Sequence, residues 1–179
     1  MTPVQGLTAA DLAEARELQV KAQPLVGQPA PAFSLLDQHG RTVTLDGFRG
    51  TGVLLVFIPF AFTDTCTNEL VDLQGAEDLL TSDEVKVMVI SCDSIYTLKA
   101  WADAHAYDGG ILSDFWPHGE AARAYGVFNE DKGLANRGSF LIDGDGIVRW
   151  AIVSPMGQAR DLDEYRAALP LAISCPSKA

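Results

Sequence analysis

With 179 residues, 47% of them hydrophobic and 21% charged, the chain can bury one sizeable core but is too short for two, and its composition excludes disordered and fibrous architectures. The formal net charge of -11, uninterrupted by any run of Lys or Arg, counts against nucleic acid as a partner. No apolar run reaches the length of a membrane span and the N-terminus lacks a basic region followed by an apolar one, so a soluble, cytoplasmic protein with no membrane partner is expected.

Thr8 with Asp11 three residues on forms a capping-box pattern, which predicts a helix that ends before Pro24. Its apolar content is mostly alanine, so residues 1–25 read as a helical extension in weak contact with the domain or a partner. The domain itself is expected over residues 26–174, with 175–179 as a tail. Two short apolar stretches, residues 33–36 and 42–45, flank the turn Asp37-Gln38-His39-Gly40 and predict a β-hairpin. Residues 53–58 form a continuous apolar run between Gly52 and Pro59, the pattern of a strand buried on both faces, and residues 85–90 predict a second. Between them Leu70, Leu73, Ala76, Leu79 and Leu80 recur at helical spacing, so a helix from Cys66 to about Leu80 completes a strand, helix, strand unit. A helix near residues 96–106 follows. Then come a hairpin of residues 139–142 and 147–153 around Asp143-Gly144-Asp145-Gly146, and a last helix near residues 161–172. This order assembles into a mixed central sheet with helices on both faces, a thioredoxin-like α/β fold.

Cys66 falls at the junction between the first buried strand and its helix, where free backbone N–H groups and the helix dipole favour an anion. Making a thiol ionise two pH units lower takes about 2.7 kcal/mol. A helix N-terminus contributes about 0.3–1 kcal/mol at an exposed site and up to about 2 when partly buried. Asp64 and Glu69, close in sequence, oppose a thiolate if ionised, so a cation from elsewhere in the chain is required, and arginine is the candidate. Cys92 ends the second buried strand and reads as an inert small hydrophobe. Three scattered cysteines, Cys66, Cys92 and Cys175, form no disulfide framework. The three histidines stand at no ligand-like spacing, and no metal site is expected. Thr63 reads as the N-cap of the helix and Pro59 as the end of the strand.

The pattern Pro59-x-x-x-Thr63-x-x-Cys66 resembles the active-site signature of peroxiredoxins. Leu112-Ser113-Asp114-Phe115-Trp116-Pro117-His118-Gly119, Ala124-Tyr125-Gly126-Val127-Phe128-Asn129-Glu130 and Ala135-Asn136-Arg137-Gly138-Ser139-Phe140-Leu141-Ile142-Asp143 are similar to the alkyl hydroperoxide reductase E branch of one-cysteine peroxiredoxins. The likeness extends across about residues 26–172. It implies that Cys66 is the peroxidatic nucleophile and that Arg137 is the cation the energy argument requires. It also implies that Thr63 gives its hydroxyl to the thiolate and the peroxide, that Pro59 shields the pocket from water, and that Glu69 orients the arginine without entering the chemistry. The implied reaction is a displacement: the sulfur attacks one peroxide oxygen, the O–O bond breaks, alcohol or water leaves, and Cys66 becomes a sulfenic acid. It needs no metal or organic cofactor. The implied substrates are hydrogen peroxide, organic hydroperoxides and peroxynitrite, and the implied assembly is a homodimer with room for higher oligomers.

A sulfenic acid must be reduced before the next turnover. The chain has no Cys-x-x-Cys, which disfavours a thiol–disulfide reductase on the same fold. The resemblance implies an external reductant, a low-molecular-weight thiol such as mycothiol or a small redoxin. Two alternatives stay open: Cys175 as the resolving cysteine of a two-cysteine peroxidase, and Cys66 as the switch of a redox sensor or partner-binding protein.

Overall fold

A computed structural model of the chain describes residues 8–80 and 82–173. Thr8 caps α1 (Ala9–Ala22): its hydroxyl accepts from the Asp11 N–H and the Asp11 carboxylate accepts in return from the Thr8 N–H, which is the expected capping box. β1 (Ser34–Asp37) and β2 (Thr42–Thr44) pair antiparallel as the expected hairpin. β3 (Gly52–Phe57) leads through α2 (Asp64–Gly75) and α3 (Glu77–Leu80) to β4 (Val85–Ser91). Then follow α4 (Ile95–Ala104), β5 (Gly110–Ser113), α5 (Glu120–Ala124) and the two-residue strands β6 (Phe128–Asn129) and β7 (Leu134–Ala135). The second hairpin is β8 (Arg137–Ile142) and β9 (Val148–Ser154), and α6 (Leu162–Ala168) and α7 (Pro170–Ile173) close the described chain.

The main sheet runs β2-β1-β5-β4-β3-β8-β9, with β3, β4 and β5 mutually parallel and the remaining pairs antiparallel. Successive strand residues point to opposite faces, and β3 uses both. Leu54, Val56 and the following Ile58 meet Leu70 and Leu73 of α2, Leu98 and Trp101 of α4, and Tyr165 of α6. Val53, Leu55 and Phe57 meet Phe33, Ala121, Tyr125 and Phe140 on the other side. Coverage on both faces is why the strand is apolar without interruption. The architecture is the thioredoxin-like mixed sheet with helices on both faces. No helix among the described residues is long and apolar enough to cross a membrane.

Several elements differ from expectation, among them α5, β6 and β7, which were not expected, and the last helix, which is split into α6 and α7. The single helix expected from Cys66 to Leu80 is broken at Ala76, whose backbone leaves the helical region at φ -96° and ψ 68°. Leu79 still joins the same core as Leu70 and Leu73, so the apolar stripe reads through the break. β5 was not expected: it has four residues and follows Asp108 and Gly109, which carry turn chemistry. The Gln38 side chain ties its start to the first hairpin, donating to the Gly109 carbonyl at 2.9 Å and accepting from the Ile111 N–H at 2.9 Å. Nor is α1 weakly attached. Ala22 is fully buried and Leu18 packs beside it, because alanines let the helix approach closely, and Gln19 bonds to β9.

Candidate active site

Past β3 the Ile58 N–H still pairs with the Ile90 carbonyl, and the chain then turns through buried Pro59. Phe62 has φ 62°, a left-handed backbone that costs an L side chain about 1–2 kcal/mol. Two bonds hold this loop and the helix it enters: Asp93, just beyond β4, accepts from the Ala61 N–H at 2.8 Å, and the Trp101 indole of α4 donates to the Thr67 hydroxyl at 3.2 Å. Thr63 is the N-cap residue, with the extended backbone that position needs, but its hydroxyl makes no capping bond and donates to the Phe60 carbonyl at 3.2 Å. Cys66 is the third residue of α2, in the turn whose N–H groups lack intrahelical acceptors, and is 1% exposed.

Register brings the cation to it. β8 runs antiparallel to β3 with Val56 opposite Ser139, so two residues further on Arg137 lies past the end of β3, where α2 begins. Glu69 follows Cys66 by three residues and shares its face of the helix. The guanidinium meets both: Nη2 donates to Cys66 Sγ at 3.3 Å, Nη1 to the Glu69 carboxylate, and Nε to the Met156 carbonyl at 2.6 Å. Cys66, Arg137 and Glu69 are thus brought together among buried groups. Pro59 and Thr63 lie on the loop that enters α2, Pro59 buried and Thr63 exposed.

Arg160 completes the cluster and was not found from the sequence. Its backbone N–H and Nε donate to Glu69 Oε1 at 2.8 and 3.0 Å, and Nη2 donates to Oε2 at 3.0 Å. Nη1 reaches the Phe57 carbonyl at 2.8 Å and, at 3.2 Å, the Gly138 carbonyl and the Ser139 hydroxyl, which is itself bonded to the Tyr165 hydroxyl at 2.8 Å. Arg160 stands 91 residues from Glu69 in a loop between β9 and α6 that carries no motif, so no local signal marks it.

Burial pushes the Glu69 carboxyl up, but the charges of Arg160 and Arg137 and the bonds from Arg160 outweigh it and hold Glu69 below the ordinary glutamate value. Two guanidiniums and one carboxylate give this buried cluster a net positive charge beside the Cys66 sulfur. Cys92 has the opposite surroundings. Burial, with the carboxylates of Asp114 and Asp93 adding to it, pushes its thiol up to about 12, so it stays protonated at neutral pH. Cys175 lies outside the described residues.

The AhpC/TSA family profile matches residues 26–151. The chain belongs to that family. It is a peroxiredoxin, a thiol-dependent peroxidase that takes a hydroperoxide as oxidant and a thiol as reductant. Alkyl hydroperoxide reductase E of Mycobacterium tuberculosis is 46% identical over 145 residues, which cover 80% of this chain and 95% of that protein. Peroxiredoxin TSA1-B of Candida albicans is 36% identical over 149 residues, 79% of this chain and 76% of that protein. The crystal structure of Enterococcus faecalis AhpC superposes with a TM-score of 0.73 at 30% identity, covering 81% of this chain and 90% of that one.

Proposed function

We propose that Cys66 carries the peroxidase reaction as its thiolate, that Arg137 acts directly on it, and that Glu69 and Arg160 hold Arg137 in place. The observation that supports this most is the 3.3 Å approach of Arg137 Nη2 to Cys66 Sγ within a buried cluster whose charges balance when the sulfur is anionic. The thiolate sulfur forms a bond to one peroxide oxygen as the O–O bond breaks and its electron pair stays with the other oxygen, which takes a proton from solvent and departs as alcohol or water, leaving Cys66 oxidised by two electrons to a sulfenic acid. Arg137 and the N–H groups of the first turn of α2 face negative charge as it moves from sulfur to oxygen. Thr63, once its hydroxyl turns from the Phe60 carbonyl, is the proposed donor to the peroxide, and buried Pro59 is the wall that excludes water.

Hydrogen peroxide, organic hydroperoxides and peroxynitrite are the proposed oxidants. The proposed reductant is an external thiol such as mycothiol or a small redoxin, because Cys92 is buried and held as a thiol. A homodimer is the proposed assembly, and the cytoplasm, which keeps thiols reduced, suits a cysteine that must be returned to thiol at each turnover.

The test is Cys66→Ser. It is expected to abolish peroxide consumption, and a variant that keeps the parent's rate overturns the assignment. Intact mass after one equivalent of peroxide then reads the resolving step. Gain of one oxygen reports a sulfenic acid awaiting an external thiol, whereas loss of two hydrogens reports a Cys66–Cys175 disulfide and overturns the external-thiol reading.

A further inference from the structure

β9 is the last strand of the main sheet, and apart from Arg149 its seven residues carry no charge. An edge strand of this kind, rich in β-branched and aromatic side chains, is a template for another strand. Two copies of one strand paired antiparallel about a two-fold axis are self-complementary, so a second copy of this chain fits the edge better than an unrelated peptide. In this structure α1 occupies the edge instead.

The side-chain hydrogen bonds from α1 to the edge come from Gln19. Gln19 Nε2 donates to the Ala151 carbonyl at 3.1 Å, and Gln19 Oε1 accepts from the Val153 N–H at 2.6 Å. These are the two groups that a residue opposite Ile152 on a parallel strand would engage with its own N–H and C=O. The carboxamide therefore stands in for one residue of strand pairing. Further along the edge, the Val148 N–H donates to the Gln28 carbonyl at 3.0 Å and the Val148 carbonyl accepts from the Gly27 N–H at 2.7 Å. The Ala151 and Val153 side chains share a core with Ala22, and Leu18 and Leu25 pack against it, so the helix covers the adjoining apolar face as well.

We propose that α1 is a built-in substitute for a neighbouring strand, which closes the β9 edge to pairing with a second copy of this chain. Antiparallel pairing uses both backbone groups of a single residue, and Gln19 takes the carbonyl of Ala151 and the N–H of Val153, so it spoils both positions at once. The family match begins at residue 26, after α1, so the cap lies outside the family's shared region. This inference stands independently of the peroxidase chemistry.

The test uses the full chain, with the variants Gln19→Ala and Leu18→Asp/Gln19→Ala. Gln19→Ala is expected to speed hydrogen exchange of the Val153 amide about fivefold to tenfold, as loss of one hydrogen bond implies, with the Leu55 and Phe140 amides unmoved. The double variant is expected to double the parent's particle mass by light scattering as concentration rises. Adding Val153→Pro, which removes the edge-facing N–H and spares the pairing with β8, should return it to the parent's mass. Unchanged Val153 exchange, a folded double variant that stays at the parent's mass, or a doubled particle that survives Val153→Pro overturns the proposal. Should the double variant not fold, Gln19→Ala decides in its place, a mass that rises with concentration supporting the proposal and a constant mass overturning it.

Discussion

Arg137→Ala perturbs the one group that touches both the sulfur and its carboxylate neighbour. The guanidinium nitrogen stands 3.3 Å from Cys66 Sγ. At an effective dielectric of about 20, opposite unit charges at that separation attract by about 5 kcal/mol. Water entering the vacated space returns part of this, and hydrogen bonds to charged groups contribute about 1.5–3 kcal/mol net. A loss of about 3 kcal/mol corresponds to oxidation of Cys66 slowed about 150-fold. The fold should survive, because Glu69 keeps its bonds to Arg160 and is not left as a bare buried carboxylate. Arg137→Lys keeps the charge but has no planar fork to serve Sγ, Glu69 and the Met156 carbonyl together, so it should recover only part of the rate. Stopped-flow measurement of the second-order rate constant with hydrogen peroxide gives the answer. An Arg137→Ala protein that melts like the parent and reacts at a rate close to the parent's would refute the reasoning.

Arg160→Met leaves a buried carboxylate with one guanidinium and strips two side-chain bonds from it, so a stability loss of about 3–5 kcal/mol is expected in urea titration, together with slower Cys66 oxidation. The acid side of the stability curve should carry the mark of Glu69. Its carboxyl is held lower in the folded than in the unfolded chain, so its contribution is complete above the ordinary glutamate value near 4.5 and disappears as pH falls through the lower folded value. Thermal melts from neutral pH down to pH of about 3 should therefore fall less steeply in Glu69→Gln than in the parent, and equal slopes would count against the paired carboxylate.

Much of the fold was legible because its signals are local. The uninterrupted apolar run of β3, rich in β-branched residues and bounded by Gly52 and Pro59, suited a strand covered twice, the leucine stripe carried through the break at Ala76, and Thr8 with Asp11 marked the start of α1. β5 was hidden because a four-residue strand is too short to show a period, and its place is set by a glutamine side chain more than 70 residues upstream. The attachment of α1 was hidden for a related reason: with five alanines and few large apolar residues α1 shows no strong apolar stripe, and its hold on the sheet comes from close packing at Ala22 and Leu18 and from a polar side chain whose acceptor and donor lie on β9.

At the candidate site the sequence by itself singled out the Cys66 sulfur as the candidate, placed it at a strand-to-helix junction, and called for a distant positive charge beside a thiolate there, since a helix end is too weak a source of anion stabilisation. Which side chains meet that need is decided by tertiary structure. The register of β8 against β3 carries Arg137 to the sulfur, and the return of the chain after β9 brings Arg160 onto Glu69. Coulomb attraction depends on separation in space, and separation along the chain says nothing of it until the sheet has closed.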